Sequence, residues 1–382
     1  MPDKQCKCCD GLVHPYQNPS YRHQVFEIPK PQVDITEYQV FHGKCQKCHS
    51  VSKGCLPNDA SDTQMGPNLL SYIGVLAGQY HLSVRKIQCL LKEQFNTTFS
   101  IGAISEAQGR VSSMLTPLHQ AMHLSIKKAR LVHVDETSHQ RNAENRTRWF
   151  WIACANDVVF QKVLFSRAQS SAKYVLGDKF QGIAVTDQCP SYNWLDSSRH
   201  QFCLAHVKRN LQQMADYNSG NGHTAYIGKR LTLLIQLIFR VRHRYENNQL
   251  DEATYHRRMH RIRRSLIAWL TKGKSVTVKK YAGRCEFIHK HEQGLWVFLS
   301  DAAIPLTNNE AERSLRGAVI MRKISYGTSS DRGDKFRSRI LSLVETCKKR
   351  DLSPLAVLAK IINAVITKGS YPDVFGLADP VN

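Results

Sequence analysis

The chain has 382 residues, with 53 Lys+Arg against 31 Asp+Glu and a formal net charge of +22. That length suffices for two or three domains with a buried core, and 42% hydrophobic with 22% charged residues excludes wholesale disorder. No apolar run reaches the roughly 18 residues of a membrane helix: the best stretch, 224–241, is broken by Lys229, Arg230 and Arg240. The N-terminal MPDKQCKCCD is polar and cysteine-rich, unlike a secretory signal. A soluble, cytoplasmic protein with no membrane partner is expected. The positive excess favours a polyanionic partner, because Lys and Arg that neutralise phosphates release condensed counterions. Basic residues concentrate at 257–264 (RRMHRIRR), 313–323 and 337–350.

Twelve cysteines in a reducing compartment suggest metal ligands rather than disulfides. Cys6 and Cys9 form one Cys-x-x-Cys and Cys45 and Cys48 a second. Each spacing allows a tight turn that aims two thiolates at one ion, and two such turns complete a tetrahedral four-cysteine zinc site. Cys8 and Cys55 lie close enough in sequence to substitute. Between the pairs, residues 24–28 (QVFEI) and 33–41 (VDITEYQVF) alternate apolar and polar across a Pro-Lys-Pro turn, which predicts a β-hairpin. A structural zinc ribbon over 1–51 follows, its small core closed by the metal. Cys89, Cys154 and Cys285 read as small buried hydrophobes.

A linker rich in turn residues, 52–68, leads into a helical segment, 69–127. Its apolar positions Leu69, Tyr72, Ile73, Leu76, Tyr80, Val84, Ile87, Leu90 and Leu91 have helical spacing. FSIGAISEAQGRV, from 99, fits either a DNA-contacting turn and recognition helix or plain helix packing. Strands are then predicted at 130–134 (RLVHV, ending at Asp135), 149–155, 158–165 and 182–186 (ending at Asp187), with a helix over 170–180 and an Asn156-Asp157 hairpin turn. Three strands, a helix and a fourth strand is the order that opens a ribonuclease H-like fold. Two carboxylates side by side at strand ends repel unless a divalent cation lies between them. A third acid is available in 304–316 (IPLTNNEAERSLR), where Thr307 or Asn308 caps a helix. Glu310 and Glu312 are two apart and face different sides of it, so one of them can reach the metals.

Taken together, HVDETS (133–138), Asp187 followed by Tyr192 and Asn193, FCLAHVKRNL (202–211) and PLTNNEAERSLRGAVIMRK (305–323) resemble the transposases of the insertion-sequence-66 family. The resemblance runs from Cys6 to about residue 362. It implies a four-cysteine zinc element ahead of an Asp-Asp-Glu ribonuclease H-like catalytic domain, an α/β fold. By the resemblance the metal-binding catalytic acids are Asp135, Asp187 and Glu312, with Glu312 at the Ala-Glu-Arg position. The core would span 128–211 and 301–350 around a helical insertion, 212–300, with a C-terminal helix and tail over 351–382. The implied activity is two-metal phosphoryl transfer on DNA with Mg2+ or Mn2+: cleavage and strand transfer during transposition. The implied partners are double-stranded DNA (element ends and target), further copies of the chain on DNA, and accessory proteins of the same element. The alternatives are a catalytically inactive transposase-derived DNA-binding protein, for which one acid should be missing, and a ribonuclease H-like nuclease or resolvase. Cys203-x-x-His206 reads as half a zinc site or as a pair packed at the root of the insertion. Lys208, Arg209, Arg313, Arg316, Arg322 and Lys323 are candidate phosphate contacts, and Trp194 is a core residue or a base-stacking one.

Overall fold

The computed structural model describes residues 3–19, 21–29, 31–142, 144, 146–217, 222–325 and 327–377. Lys30 of the expected turn and the tail beyond 377 lie outside these residues. Near the N-terminus, β1 (His42–Lys44) and β2 (Val51–Lys53) pair antiparallel, His42 opposite Lys53. They flank the second cysteine pair. The hairpin expected from 24–28 and 33–41 is not formed: both stretches lack strand structure, and Val25, Phe26, Ile28 and Ile35 are exposed. Alternation marks two faces of a strand, but a lone two-stranded hairpin is marginal without a surface to cover, and none packs there.

The helical segment comprises α1 (Pro67–Gly78), α2 (Val84–Phe95), α3 (Ile101–Met114) and α4 (Thr116–Lys128). The periodic run 69–95 is therefore two helices, divided where His81 takes a left-handed φ of 57°. Ser83 and Ser100 restart the chain as helix caps, accepting the N–H groups of Lys86 and Ala103. The apolar face of α3 (Ile104, Ala107, Val111) is buried in the main core.

The central sheet holds β3 (Leu131–His139), β4 (Arg148–Ala155), β5 (Val158–Leu164), β6 (Ile183–Thr186) and β7 (His200–Phe202), with α5 (Gln169–Leu176) crossing from β5 to β6. Its order is β5-β4-β3-β6-β7. The β3–β4–β5 pairs are antiparallel and the β3–β6 and β6–β7 pairs parallel. The first strand is longer than its apolar run: β3 continues through Asp135 to His139, because Asp135–His139 pair along β4 from Ile152 to Arg148. Asp135 is thus in mid-strand. β7 was not anticipated, being three residues long.

A second core belongs to α6 (Leu204–Ala215), α7 (His223–Glu246), α8 (Glu252–Gly273) and α9 (Lys279–Lys290), joined by Trp296 and Phe298. Val207 and Leu211 of α6, ahead of residue 212, also face this core, as does Met214. The chain then returns to the sheet with α10 (Asn309–Ser325), α11 (Asp331–Lys349) and α12 (Pro354–Ile366). Cys154 and Cys285 are buried as expected, but Cys89 is exposed on α2, with its thiol 3.0 Å from Glu93. Trp194 packs half-buried against the main core, with Lys173 Nζ 5.5 Å from its ring centre. Among the described residues no helix is long and apolar enough to cross a membrane.

The open edge of β5 is covered by a side-chain ladder. The buried N–H groups of Val159, Gln161 and Val163 donate to Thr346 Oγ1 (3.0 Å), Ser342 Oγ (2.8 Å) and Ser338 Oγ (3.1 Å) on α11. Acceptors every four residues along a helix meet donors every two along a strand, so α11 takes the place of a sixth strand. Ser342→Ala leaves the Gln161 N–H without that acceptor. It is expected to lower stability by about 1–3 kcal/mol in thermal denaturation, and an unchanged melting temperature would show that the edge finds another acceptor.

Candidate active site

The site is assembled by the segment ahead of α10. Asn308 is fully buried, and its side chain reaches β3 instead of capping its own helix. Its amide nitrogen donates to the Val134 carbonyl (2.8 Å), leaving Oδ1 to accept from His133 Nδ1 (3.1 Å). Its backbone N–H donates to Cys203 Sγ (3.2 Å), and Leu204 N–H donates to the Leu306 carbonyl (2.8 Å). β3, the start of α6 and the start of α10 are bolted together at one residue. Arg322 secures the far end of α10 by donating to Thr137 Oγ1, Ser138 Oγ and the Ser138 carbonyl.

With α10 held so, Glu312 lines an open pocket of about 360 Å³ together with Asp135, Leu315, Arg316, Val319 and Ile320. Glu310, two residues earlier, points elsewhere: it pairs with Lys349 of α11 and lies 3.9 Å from Arg313. Burial raises the Glu310 carboxyl, but Lys349 outweighs it and holds the group below its ordinary value. Leu131, Val132 and His133 pair with Ile183, Ala184 and Val185, but the pairing stops there and β6 ends at Thr186, so Asp187 leaves the strand and its carboxylate lies beside Glu136 rather than in the pocket of Asp135 and Glu312. Asp187 Oδ1 accepts the Cys189 N–H (2.8 Å) and Oδ2 accepts from Arg167 (3.2 Å).

Asp135 carries the electrostatic strain of the site. Burial, then Glu136, and more weakly Asp187 and Glu312, push its carboxyl from 3.8 to about 7, against a backbone N–H from Glu136 that stabilises the charge. No cationic side chain is paired with Asp135 among the described residues. Asp187 and Glu312, by contrast, are drawn into separate clusters. The ligand atoms of Glu136, Asp187 and Cys189 lie within 4.8 Å of one another, as do those of Cys203, His206 and Glu312. The three expected acids do not themselves close to that separation.

Beside Asp187, Arg167 carried no signal in the sequence, while Glu136 and Tyr192 stood there only within the strings that carry the family resemblance. Glu136, whose side chain is wholly buried, receives Arg167 Nε and the Tyr192 hydroxyl. Arg167 bridges Glu136 to Asp187 and lies over Trp149, 5.1 Å from the ring centre. Glu136 follows Asp135 in the Asp-Glu-Thr string, and strand alternation sends it to the opposite face from Asp135.

Of the basic candidates, Arg316 is exposed at the pocket, Arg209, Arg313 and Lys323 are exposed, Lys208 is half-buried, and Arg322 is engaged with β3. The two N-terminal cysteine turns repeat one geometry. Cys6 N–H donates to the Gly11 carbonyl and Asp10 N–H to the Cys6 carbonyl; Cys45 N–H donates to the Ser50 carbonyl and His49 N–H to the Cys45 carbonyl. Asp10 and His49 both take left-handed φ, 53° and 59°. No three of these four thiols lie within 4.8 Å of one another among the described residues.

A five-stranded mixed sheet presenting acids from β3, from the end of β6 and from a later helix is consistent with an Asp-Asp-Glu transposase core of ribonuclease H-like type. Residues 62–335 match the family described as Transposase IS66 family, and the chain belongs to it. That membership implies a DNA transposase activity and hence DNA binding. Two proteins of Sinorhizobium fredii (strain NBRC 101917 / NGR234) are similar over most of their length. Uncharacterized protein y4hP is 22% identical over 393 residues, 94% of this chain and 70% of the relative. Uncharacterized protein y4jD is 23% identical over 403 residues, 95% of this chain and 75% of the relative.

The raised Asp135 carboxyl predicts a pH dependence. Its proton is retained in the folded chain to about pH 7 but lost near 3.8 on unfolding, so its cost to folding grows across that window and is complete above it. In chelator-treated protein, Asp135→Asn is expected to raise stability at pH 8 by on the order of 1–4 kcal/mol and to do little at pH 4. Equal melting temperatures at pH 8 would show that the charge is compensated.

Proposed function

We propose that the chain is the transposase of an insertion sequence, cleaving DNA and transferring strands with Mg2+ or Mn2+ held by Asp135, Asp187 and Glu312. The observation that carries this reading is the half-buried Asp135, raised to about 7 among acids and sharing a pocket with Glu312. Such a group is relieved by a divalent cation, and carboxylate oxygens suit magnesium or manganese rather than zinc. When bound, the two ions supply charge stabilisation at the reacting phosphoryl oxygens and activation of water or a DNA 3′-hydroxyl. The protein's own part is positioning. Asn308 and Arg322 set α10 against β3, and Glu136 with Tyr192 holds Arg167, which orients Asp187. Arg316, Arg209, Arg313, Lys323 and Lys208 face the phosphates of duplex DNA, the element ends and the target, bound by more than one copy of the chain with accessory proteins of the element. All three acids are present, which favours an active enzyme over a DNA-binding derivative.

Cys6, Cys9, Cys45 and Cys48 are proposed to close on one structural Zn2+. The support is the matched pair of turns, and the Ser50 hydroxyl and backbone that lower the Cys48 thiol to about 7.

Incubating the full chain with duplexes bearing the element ends and Mg2+ tests the assignment. Asp135→Asn and Glu312→Gln are expected to cut cleavage and strand transfer by about 10²–10³-fold or more, with zinc content at the N-terminal cysteines unchanged. Glu310→Gln should stay within about twofold of the parent, as for a surface substitution. Strand transfer that survives Asp135→Asn, or is lost only with Glu310→Gln, would overturn the acid assignment.

A further inference from the structure

Cys203 and His206 meet a third ligand that their spacing alone did not reveal. Cys203 caps the N-terminus of α6 and His206 sits in its first turn, while Glu312 sits in the first turn of α10. Cys203 Sγ, a His206 ring nitrogen and a Glu312 carboxylate oxygen all lie within 4.8 Å of one another. His206 Nδ1 is buried without a hydrogen-bond partner, although Glu312 Oε1 is only 3.5 Å away. That separation is long for a hydrogen bond, which peaks near 2.9 Å. It is the spacing of two ligands on one tetrahedral ion, about 3.3–3.6 Å when metal–nitrogen and metal–oxygen bonds are about 2.0–2.2 Å. A buried polar atom left unpaired calls for a partner, and thiol, imidazole and carboxylate together are a donor set for zinc rather than magnesium. The Asn308 N–H directed at Cys203 Sγ (3.2 Å) is the outer-shell contact that a thiolate ligand uses.

We propose that Cys203 Sγ, His206 Nδ1 and Glu312 form a second, three-ligand Zn2+ site at the root of the insertion, separate from the N-terminal cysteines and adjoining the acid pocket. Binding forms three coordinate bonds and releases the thiol proton to solvent. His206 and Glu312 are half-buried, which leaves a fourth position open to water. The regulatory consequence rests on the proposed role of Glu312: zinc here withdraws that carboxylate from the Mg2+ site and inhibits DNA chemistry.

Zinc titration of the full chain, in competition with a chromogenic chelator, counts the sites directly. The parent should bind one equivalent more than Cys203→Ser or His206→Gln, while Cys45→Ser should lose the other class of site. His206→Gln, at a half-buried position, covers the case in which Cys203→Ser does not fold. Equal zinc uptake by the parent and a folded His206→Gln chain would overturn the site and leave the pair as packing. Added zinc should suppress Mg2+-dependent cleavage in the parent and do so at least tenfold more weakly in Cys203→Ser, and equal inhibition of the two would overturn the regulatory claim. If the parent shows no Mg2+-dependent cleavage but the extra zinc equivalent is present, the transposase reading fails and the metal site stands.

Discussion

Asn308 is buried with its side-chain nitrogen and oxygen both bonded to β3, and the placement of α10 beside the acid pocket depends on those bonds. A buried amide left unpaired costs more than a satisfied one contributes, so the bonds to Val134 and His133 favour this placement of α10 against β3. That placement turns Glu312 toward Asp135 and Glu310 toward Lys349. The same residue's N–H reaches Cys203, so the helical insertion is tied to the sheet at the point where the acids gather.

Around the site, charge is handled in two different ways. Glu136 and Asp187 share the guanidinium of Arg167, with the Tyr192 hydroxyl completing the shell of Glu136. These partners lower the Glu136 carboxyl, but burial and the charge of Asp187 outweigh them and hold it above its ordinary value. Asp135 has no such partner among the described residues and is pushed toward its protonated form. Glu136 is tied into the frame by these bonds, whereas Asp135 faces the pocket beside Glu312.

The sheet supporting these groups owes its exposed flank to α11. Edge strands invite pairing with foreign chains, and the hydroxyls of Ser338, Ser342 and Thr346 close β5 without a further strand. The opposite flank, at β7, is continuous with the insertion through Phe202 and Leu204, which both belong to the second core. The two cores thus meet through the sheet edge that carries Cys203.

Much of this was legible in the chain itself. Local patterns located the helices, the β4–β5 hairpin with its Asn156-Asp157 turn, the cysteine pairs and the acids, because helix periodicity, turn chemistry and motif spacing are properties of short segments. The alternation at 24–41 misled for the same reason: it records which side chains share a face, not whether any surface exists to bury that face. Asp135 seemed to end its strand because apolar residues stop there, yet pairing with β4 carries the backbone on to His139. The sequence by itself determined the residue types and the family they belong to. Only the tertiary structure turned Glu312 toward Asp135 and Glu310 toward Lys349, joined Arg167 and Tyr192 to Glu136, and set His206 beside Glu312, because each of these depends on contacts between elements far apart in the chain.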